Sequence, residues 1–179
     1  GGALFQEGSN RRYSVMKHTA IYPGTFDPLT LGHLDLIVRA SRIFTRVVVA
    51  VAVGTRKNTI FPIDERVAMT AQSTRNLPNV EVTSFKGLLV HYATQRGIHV
   101  VVRGLRAFSD FEYEFQMALT NRKLEPRIET LYLMPKEEFS YFSSSTVREV
   151  VELGGDYKGF VPKPVQSFIQ RRFGGTRAH

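Results

Sequence analysis

The stretch TAIYPGTFDPLTLGHLDLIVRASRIFTRVVVAVAV, running from Thr19 to Val53, decides the fold. Its opening apolar run, Thr19–Tyr22, is rich in strand formers and stops at Pro23-Gly24, a pair that turns the chain. Gly32-His33 then opens a segment in which Leu34, Ile37, Val38 and Phe44 recur at helical spacing, so that one side of an amphipathic helix is apolar. The chain returns through Arg46–Val53, where the continuous apolar run Val47–Val53 suits a strand buried on both faces. Strand, helix, strand in that order is a βαβ unit, which implies parallel pairing and a right-handed crossover.

The same alternation continues along the chain. Asp64–Arg75 reads as a helix with Val67, Met69 and Ala71 offered to the core, Val80–Phe85 as a third strand, and Leu88–Gln95 as a further helix. His99–Val102 is a fourth, buried strand, Asp110–Leu124 a longer helix and Ile128–Met134 a fifth strand. Ser143–Ser145 precedes a helix carrying Val147, Val150 and Val151 that ends at Gly154-Gly155, and Val165–Phe173 forms a closing helix. No repeat or linker interrupts this order. The expected architecture is a single-domain, doubly wound (Rossmann-like) α/β fold: five parallel strands with helices on both faces, spanning residues 16–179. Residues 1–15 show no apolar periodicity and no signal-peptide core, and read as a disordered, appended leader ahead of Met16 as the native start.

Composition narrows the functional class. The chain has 179 residues, enough for one sizeable core, and 42% hydrophobic against 22% charged residues, which is globular usage. Val47–Val53 is the longest apolar stretch and is far too short to span a bilayer, so no membrane partner is expected. The absence of Cys excludes disulfides, thiolate metal sites and a Cys nucleophile, and fits the cytoplasm. The net charge of +8 is concentrated at the ends: residues 1–17 hold three basic and one acidic side chain, and residues 158–179 five basic and no acidic. The body between them is nearly balanced and is not a nucleic-acid-binding slab.

In sheets of this kind ligands sit beyond the carboxyl ends of the strands, where the strand order reverses. At the end of the first strand, Thr25 supplies a hydroxyl, and Gly32-His33 places an imidazole at a helix N-terminus. Backbone N–H groups and the positive helix end favour a phosphate there, Gly32 permits close approach, and His33 can donate to a phosphoryl oxygen. Each fragment alone also fits a plain turn with a capping residue; together they favour a site. Arg103-Gly104-Leu105-Arg106 follows the fourth strand and would aim two guanidiniums, forks suited to phosphate, at the same crevice if strands one and four are neighbours. Lys57 leaves the carboxyl end of strand two through Gly54-Thr55-Arg56. Ser143-Ser144-Ser145-Thr146 caps a helix whose first N–H groups can hold phosphates. Asp110, Glu112 and Glu114 complement a helix dipole. His18, His91 and His99 lack metal-ligand spacing and read as surface or satisfied core residues, so no protein-held metal is expected.

Gly24-Thr25-Phe26-Asp27-Pro28 followed by Thr30-Leu31-Gly32-His33 resembles the [HT]-x-G-H signature of the nucleotidylyltransferase superfamily. Pro62–Arg66, Arg103–Glu114 and Phe139–Arg148 are similar, in order and spacing, to segments of the bacterial phosphopantetheine adenylyltransferases, a resemblance that covers Lys17 to about Pro162. It implies transfer of AMP from ATP to the 4′-phosphate of 4′-phosphopantetheine, giving dephospho-coenzyme A and pyrophosphate in the penultimate step of coenzyme A synthesis. It further implies catalytic roles for Thr25, His33, Lys57 and Arg106, and ATP contacts from Thr25, Phe26, His33, Gly104, Leu105, Arg106, Glu114, Phe139, Ser140, Tyr141, Phe142, Ser143, Ser144 and Ser145. Thr25, Lys57, Leu88, Leu89 and Arg103 fall on the phosphopantetheine side. Phe142 stands where the family more often has a smaller aliphatic residue, a departure that bears on adenine packing. A homohexamer and feedback inhibition by coenzyme A are implied by resemblance alone.

The nucleophile, a phosphate oxygen, is already an anion, so direct in-line attack on the α-phosphorus needs no general base. Magnesium is expected on the ATP phosphates, because it seldom has an all-protein cage. A related transferase acting on nicotinamide mononucleotide or glycerol phosphate is the nearest alternative, and a nucleic-acid module built on the basic tail is the alternative from another class.

Overall fold

The computed structural model describes residues 16–54, 58–106, 108–141 and 143–174. Five strands, β1 (Met16–Gly24), β2 (Phe44–Ala52), β3 (Val80–Phe85), β4 (Val100–Gly104) and β5 (Glu129–Leu133), form one sheet in the order β3-β2-β1-β4-β5. Every neighbouring pair is parallel. The connecting helices are α1 (Leu31–Ile43), α2 (Ile63–Thr74), α3 (Leu89–Gln95) and α4 (Phe108–Leu124), with α5 (Ser144–Glu152) and α6 (Lys163–Phe173) after the last strand. The doubly wound α/β fold expected above is therefore the one observed.

Strand alternation divides the buried residues between two cores. Ala20, Tyr22, Val47, Val49, Val51 and Val102 face α1, α2, α5 and α6, where Ile37, Met69, Val147, Val165 and Ile169 pack. Ile21, Val48, Ala50 and Val101 face the other way, onto Val90 and Ala93 of α3 together with Ile98 and Ile128. A sheet covered on both faces explains why β2 reads as an unbroken apolar run. The register Ala20↔Val100 and Ile21↔Val101 makes β1 and β4 neighbours, so the chain reverses direction of winding between them. A crevice at their carboxyl ends follows.

Four details differ from what the sequence predicts. Phe44, expected on the apolar side of the first helix, opens β2 instead. β4 continues through Arg103 and Gly104 because both keep pairing with β5, opposite Tyr132 and Leu133. Ala71 is exposed, while α2 buries Arg66, Met69, Thr70 and Thr74. Ala71 lies about 140° around the helix from Arg66, and a buried arginine sets the inward face where apolar spacing alone does not reveal it. A short 3₁₀ turn, Glu137–Phe139, was not anticipated. Along α4, Phe111, Tyr113, Phe115 and Leu119 are exposed, with Phe111 and Phe115 stacked at 5.7 Å. The predicted stop of α5 is observed: Gly154 follows its final residues with φ +73°, a conformation that suits glycine.

Candidate active site

The β1–α1 turn is held from inside by its own residues. Thr30 caps α1: its hydroxyl accepts the His33 N–H at 3.3 Å, and in return the Thr30 N–H donates to His33 Nδ1 at 3.0 Å. A backbone N–H can only donate, so Nδ1 must be the unprotonated nitrogen and the neutral ring carries its hydrogen on Nε2. Burial, followed by the positive charges of Arg106 and Arg103, lowers the His33 pKa to about 3. Cap and electrostatics thus agree that His33 is a neutral hydrogen-bond donor. Phe26 stands edge-on to His33 at 5.1 Å and to Tyr22 at 5.4 Å, restricting the ring further.

The folded pKa lies below the ordinary value of 6.5, so stability linked to His33 is present above pH 6.5 and is lost as the pH falls toward 3. An NMR titration should therefore show no His33 imidazole transition between pH 8 and about 5. A transition near pH 6.5 would contradict the assigned tautomer.

Asp27 and Arg66 hold the outer side of the turn. The Asp27 carboxylate, 1% exposed, accepts the N–H groups of Ile60 and Phe61, each at 2.9 Å. Arg66, 2% exposed, donates through Nε to the Phe61 carbonyl and through Nη1 to the carbonyls of Thr25 and Ala52. Burial lowers the Arg66 pKa, and the Asp27 charge opposes that shift. Arg148, on α5, donates to the Asp27 carbonyl at 2.7 Å and to Ser145 Oγ at 3.0 Å. Asp27, Arg66 and Arg148 all lie within the motif segments quoted above, but the sequence does not mark them as site residues because their partners are distant along the chain.

At the end of β4, Arg103 donates to both carboxylate oxygens of Glu114, at 3.0 and 2.5 Å, and to the Pro23 carbonyl at 3.1 Å. At least three of its five N–H positions are engaged. Glu114 and Arg103, placed on opposite substrate sides by resemblance, are thus partners of each other. Burial lowers the Arg103 pKa, but the hydrogen bonds and the charge of Glu114 together outweigh it and hold the guanidinium above its ordinary value. Arg106, more exposed, pairs with Asp110 at 3.1 Å. Asp110 therefore pairs with a cation in addition to sitting at the helix start, beyond the simple dipole reading. A Cβ on Gly104 would lie 2.4 Å from a methyl of Leu36, so a larger residue there would have to displace that side chain.

Ser143 is the N-cap of α5, its Oγ accepting from the Thr146 N–H at 3.2 Å. The Ser144 hydroxyl is used differently, donating to the Pro28 carbonyl at 2.8 Å and so fastening α5 to the β1–α1 turn. Phe139 ends the 3₁₀ turn, and its carbonyl lies 3.4 Å from where a Cβ on Gly32 would be. Ser140 donates to the Glu137 carbonyl, and Tyr141 is exposed.

The structure brings Thr25, His33, Gly104, Leu105 and Arg106 to the crevice beside β1 and β4, with the α5 N-terminus fastened to the same turn. Phe26 is 2% exposed, its ring packed against Tyr22 and His33. Leu89 and Arg103 line a cavity of about 80 Å³ with Tyr113, Met117 and Asn121, while Leu88 is exposed at its edge in sequence. Tyr113, Met117 and Asn121 were not foreseen; on α4 they look like ordinary helix residues until β4 and α3 are placed beside them. Lys57 and Phe142 lie outside the described residues.

The parallel sheet with its reversal point between β1 and β4 is matched over residues 21–150 by the cytidylyltransferase-like family model, which sets the chain among the nucleotidyltransferases. Among curated relatives, the phosphopantetheine adenylyltransferase of Methylococcus capsulatus is 52% identical over 161 residues, covering 90% of this chain and 99% of that one. That of Thioalkalivibrio sulfidiphilus is 52% identical over 159 residues, covering 89% and 100%. The chain belongs to the phosphopantetheine adenylyltransferase family. A solved structure from Vibrio parahaemolyticus, assigned to the nicotinate-nucleotide adenylyltransferases, shares the fold with a TM-score of 0.65 at 18% identity, covering 88% of this chain and 95% of that one.

Proposed function

We propose that the crevice between the β1–α1 turn and the end of β4 is where this adenylyltransferase moves the adenylyl group of ATP onto the 4′-phosphate of 4′-phosphopantetheine. An acceptor phosphate oxygen attacks the α-phosphorus in line, the bond to the β-phosphate oxygen breaks, and pyrophosphate leaves with dephospho-coenzyme A as the other product. The supporting observation is the neutral His33 ring, whose Nδ1 is occupied by the Thr30 N–H so that Nε2–H is the donor left for an α-phosphoryl oxygen.

Around that donor, Thr25 and Lys57 align the acceptor phosphate, and Arg106 stabilises developing charge. Gly104, Leu105, Glu114 and Phe139–Ser145 form the ATP side, with phosphates at the capped α5 N-terminus. The pantetheine arm enters beside Leu88 and occupies the cavity at Leu89, Tyr113 and Met117, while Arg103 offers the acceptor phosphate at most the two N–H positions that Glu114 and Pro23 leave. Magnesium is carried on the ATP phosphates, where it neutralises charge. Coenzyme A, which has the same arm, competes there as a feedback inhibitor.

The exposed, stacked Phe111 and Phe115 of α4 support self-association, and the number of copies, six by family resemblance, is read directly by light scattering. No helix among the described residues is long and apolar enough to cross a membrane, and we place the enzyme in the cytoplasm.

Pyrophosphate release tests the reading, with phosphopantetheine, nicotinamide mononucleotide or glycerol phosphate as sole acceptor. Release is expected only with phosphopantetheine, and chelating magnesium should abolish it. Release with another acceptor would keep the phosphate chemistry but replace the substrate.

A further inference from the structure

Arg66 has no place among the substrate contacts above, yet a fully buried guanidinium is an unusual occupant of a helix face. Burying a charge is costly unless its N–H groups are all directed at acceptors, and here the acceptors are informative. They are the carbonyls of Thr25, just beyond β1, of Ala52, the last residue of β2, and of Phe61, just before α2. Each belongs to a chain end that sheet or helix pairing cannot satisfy. From the opposite side, the Asp27 carboxylate takes the N–H groups of Ile60 and Phe61. Both ends of the β2–α2 connection are therefore fastened to the turn that carries Thr25.

Apart from Thr25, which the two sides share, the ATP side is held by other means. His33 is fixed by the Thr30 cap, α5 by Ser144 on Pro28 and Arg148 on Asp27, and Gly104 by pairing with β5. Arg66 touches none of them. We propose that Arg66 is a positioning residue for the acceptor half of the reaction, setting Thr25 against the end of β2 so that the phosphate of phosphopantetheine is met in line. This rests on the function proposed above. A lysine cannot replace it, because one ammonium point cannot span carbonyls that the guanidinium fork reaches from Nε and Nη1.

The experiment measures both Michaelis constants, kcat and thermal melting for Arg66→Lys, with Arg66→Gln as a second variant should the lysine not fold. Met69→Ala, on the same helix and fully buried, removes core volume without touching these carbonyls and controls for lost stability. The expected result for the Arg66 variants is a KM for phosphopantetheine raised about ten- to hundredfold and a lowered kcat, with the KM for ATP within about twofold, as a small misplacement of one reactant produces. Met69→Ala should melt earlier with both constants unchanged. Equal shifts for both substrates, no shift for either, or the same acceptor-specific shift in Met69→Ala would overturn the proposal. A wild-type chain that releases no pyrophosphate with phosphopantetheine would instead overturn the functional reading, and the positioning role with it.

Discussion

Replacing His33 with alanine is expected to lower kcat by about 10²–10³ or more while KM for both substrates changes little, the pattern of losing a donor used mainly in the transition state. The structural cost is small by comparison. His33→Ala removes the acceptor for the Thr30 N–H, about 1 kcal/mol for a cap contact, or roughly 2–4 °C in melting temperature for a chain of this size. His33→Asn separates the two roles. Its side-chain oxygen can accept from Thr30 as Nδ1 does, but it has no donor at the reach of Nε2. Asn should therefore restore the cap and leave turnover low. Wild-type turnover in either folded variant would refute the assignment of His33.

Asp27→Ala should produce the largest loss of stability. The carboxylate is buried and accepts two backbone N–H groups, a buried one from Phe61 and a part-buried one from Ile60, and both lose that acceptor once it is gone. The orphaned buried donor costs about 1–3 kcal/mol and the part-buried one less, so the variant is expected to lose roughly 2–5 kcal/mol. That corresponds to a fall of about 5–20 °C in melting temperature. The buried Arg66 also loses the negative charge that offsets its burial, and breaking such an arrangement from one side adds to the cost. Asp27→Asn keeps one oxygen acceptor but turns an amide toward the other N–H, and should fall between wild type and alanine. Urea melts with an unchanged slope would assign the loss to the native state. An alanine variant that melts within about 2 °C of wild type would show that those N–H groups find other partners.

The comparison of sequence with structure separates along range. Whatever depends on neighbours a few residues apart was legible: the alternation of strands and helices, the turn at Pro23-Gly24, the Ser143 cap and the stop at Gly154. The neutral state of His33 is nearly of this kind, since Thr30 and His33 sit three positions apart in a capping box. Strand β4 was harder to bound, because Arg103 and Gly104 look like loop residues until their pairing partners on β5 are known.

By itself, the sequence determined the doubly wound order, the phosphate-suited turn and the family, because backbone propensity, hydrophobic period and motif spacing are local quantities. Only the tertiary structure decided which charges meet. It set Glu114 on Arg103, made Arg66 an inward-facing residue of α2 and joined Asp27 to the start of α2. The physical reason is that a charged side chain carries no mark of its partner in one dimension. Whether it is solvated, paired or buried depends on which chain ends the folded sheet brings within hydrogen-bond reach, and at this reversal point the ends of β1, β2 and β4 are all brought together.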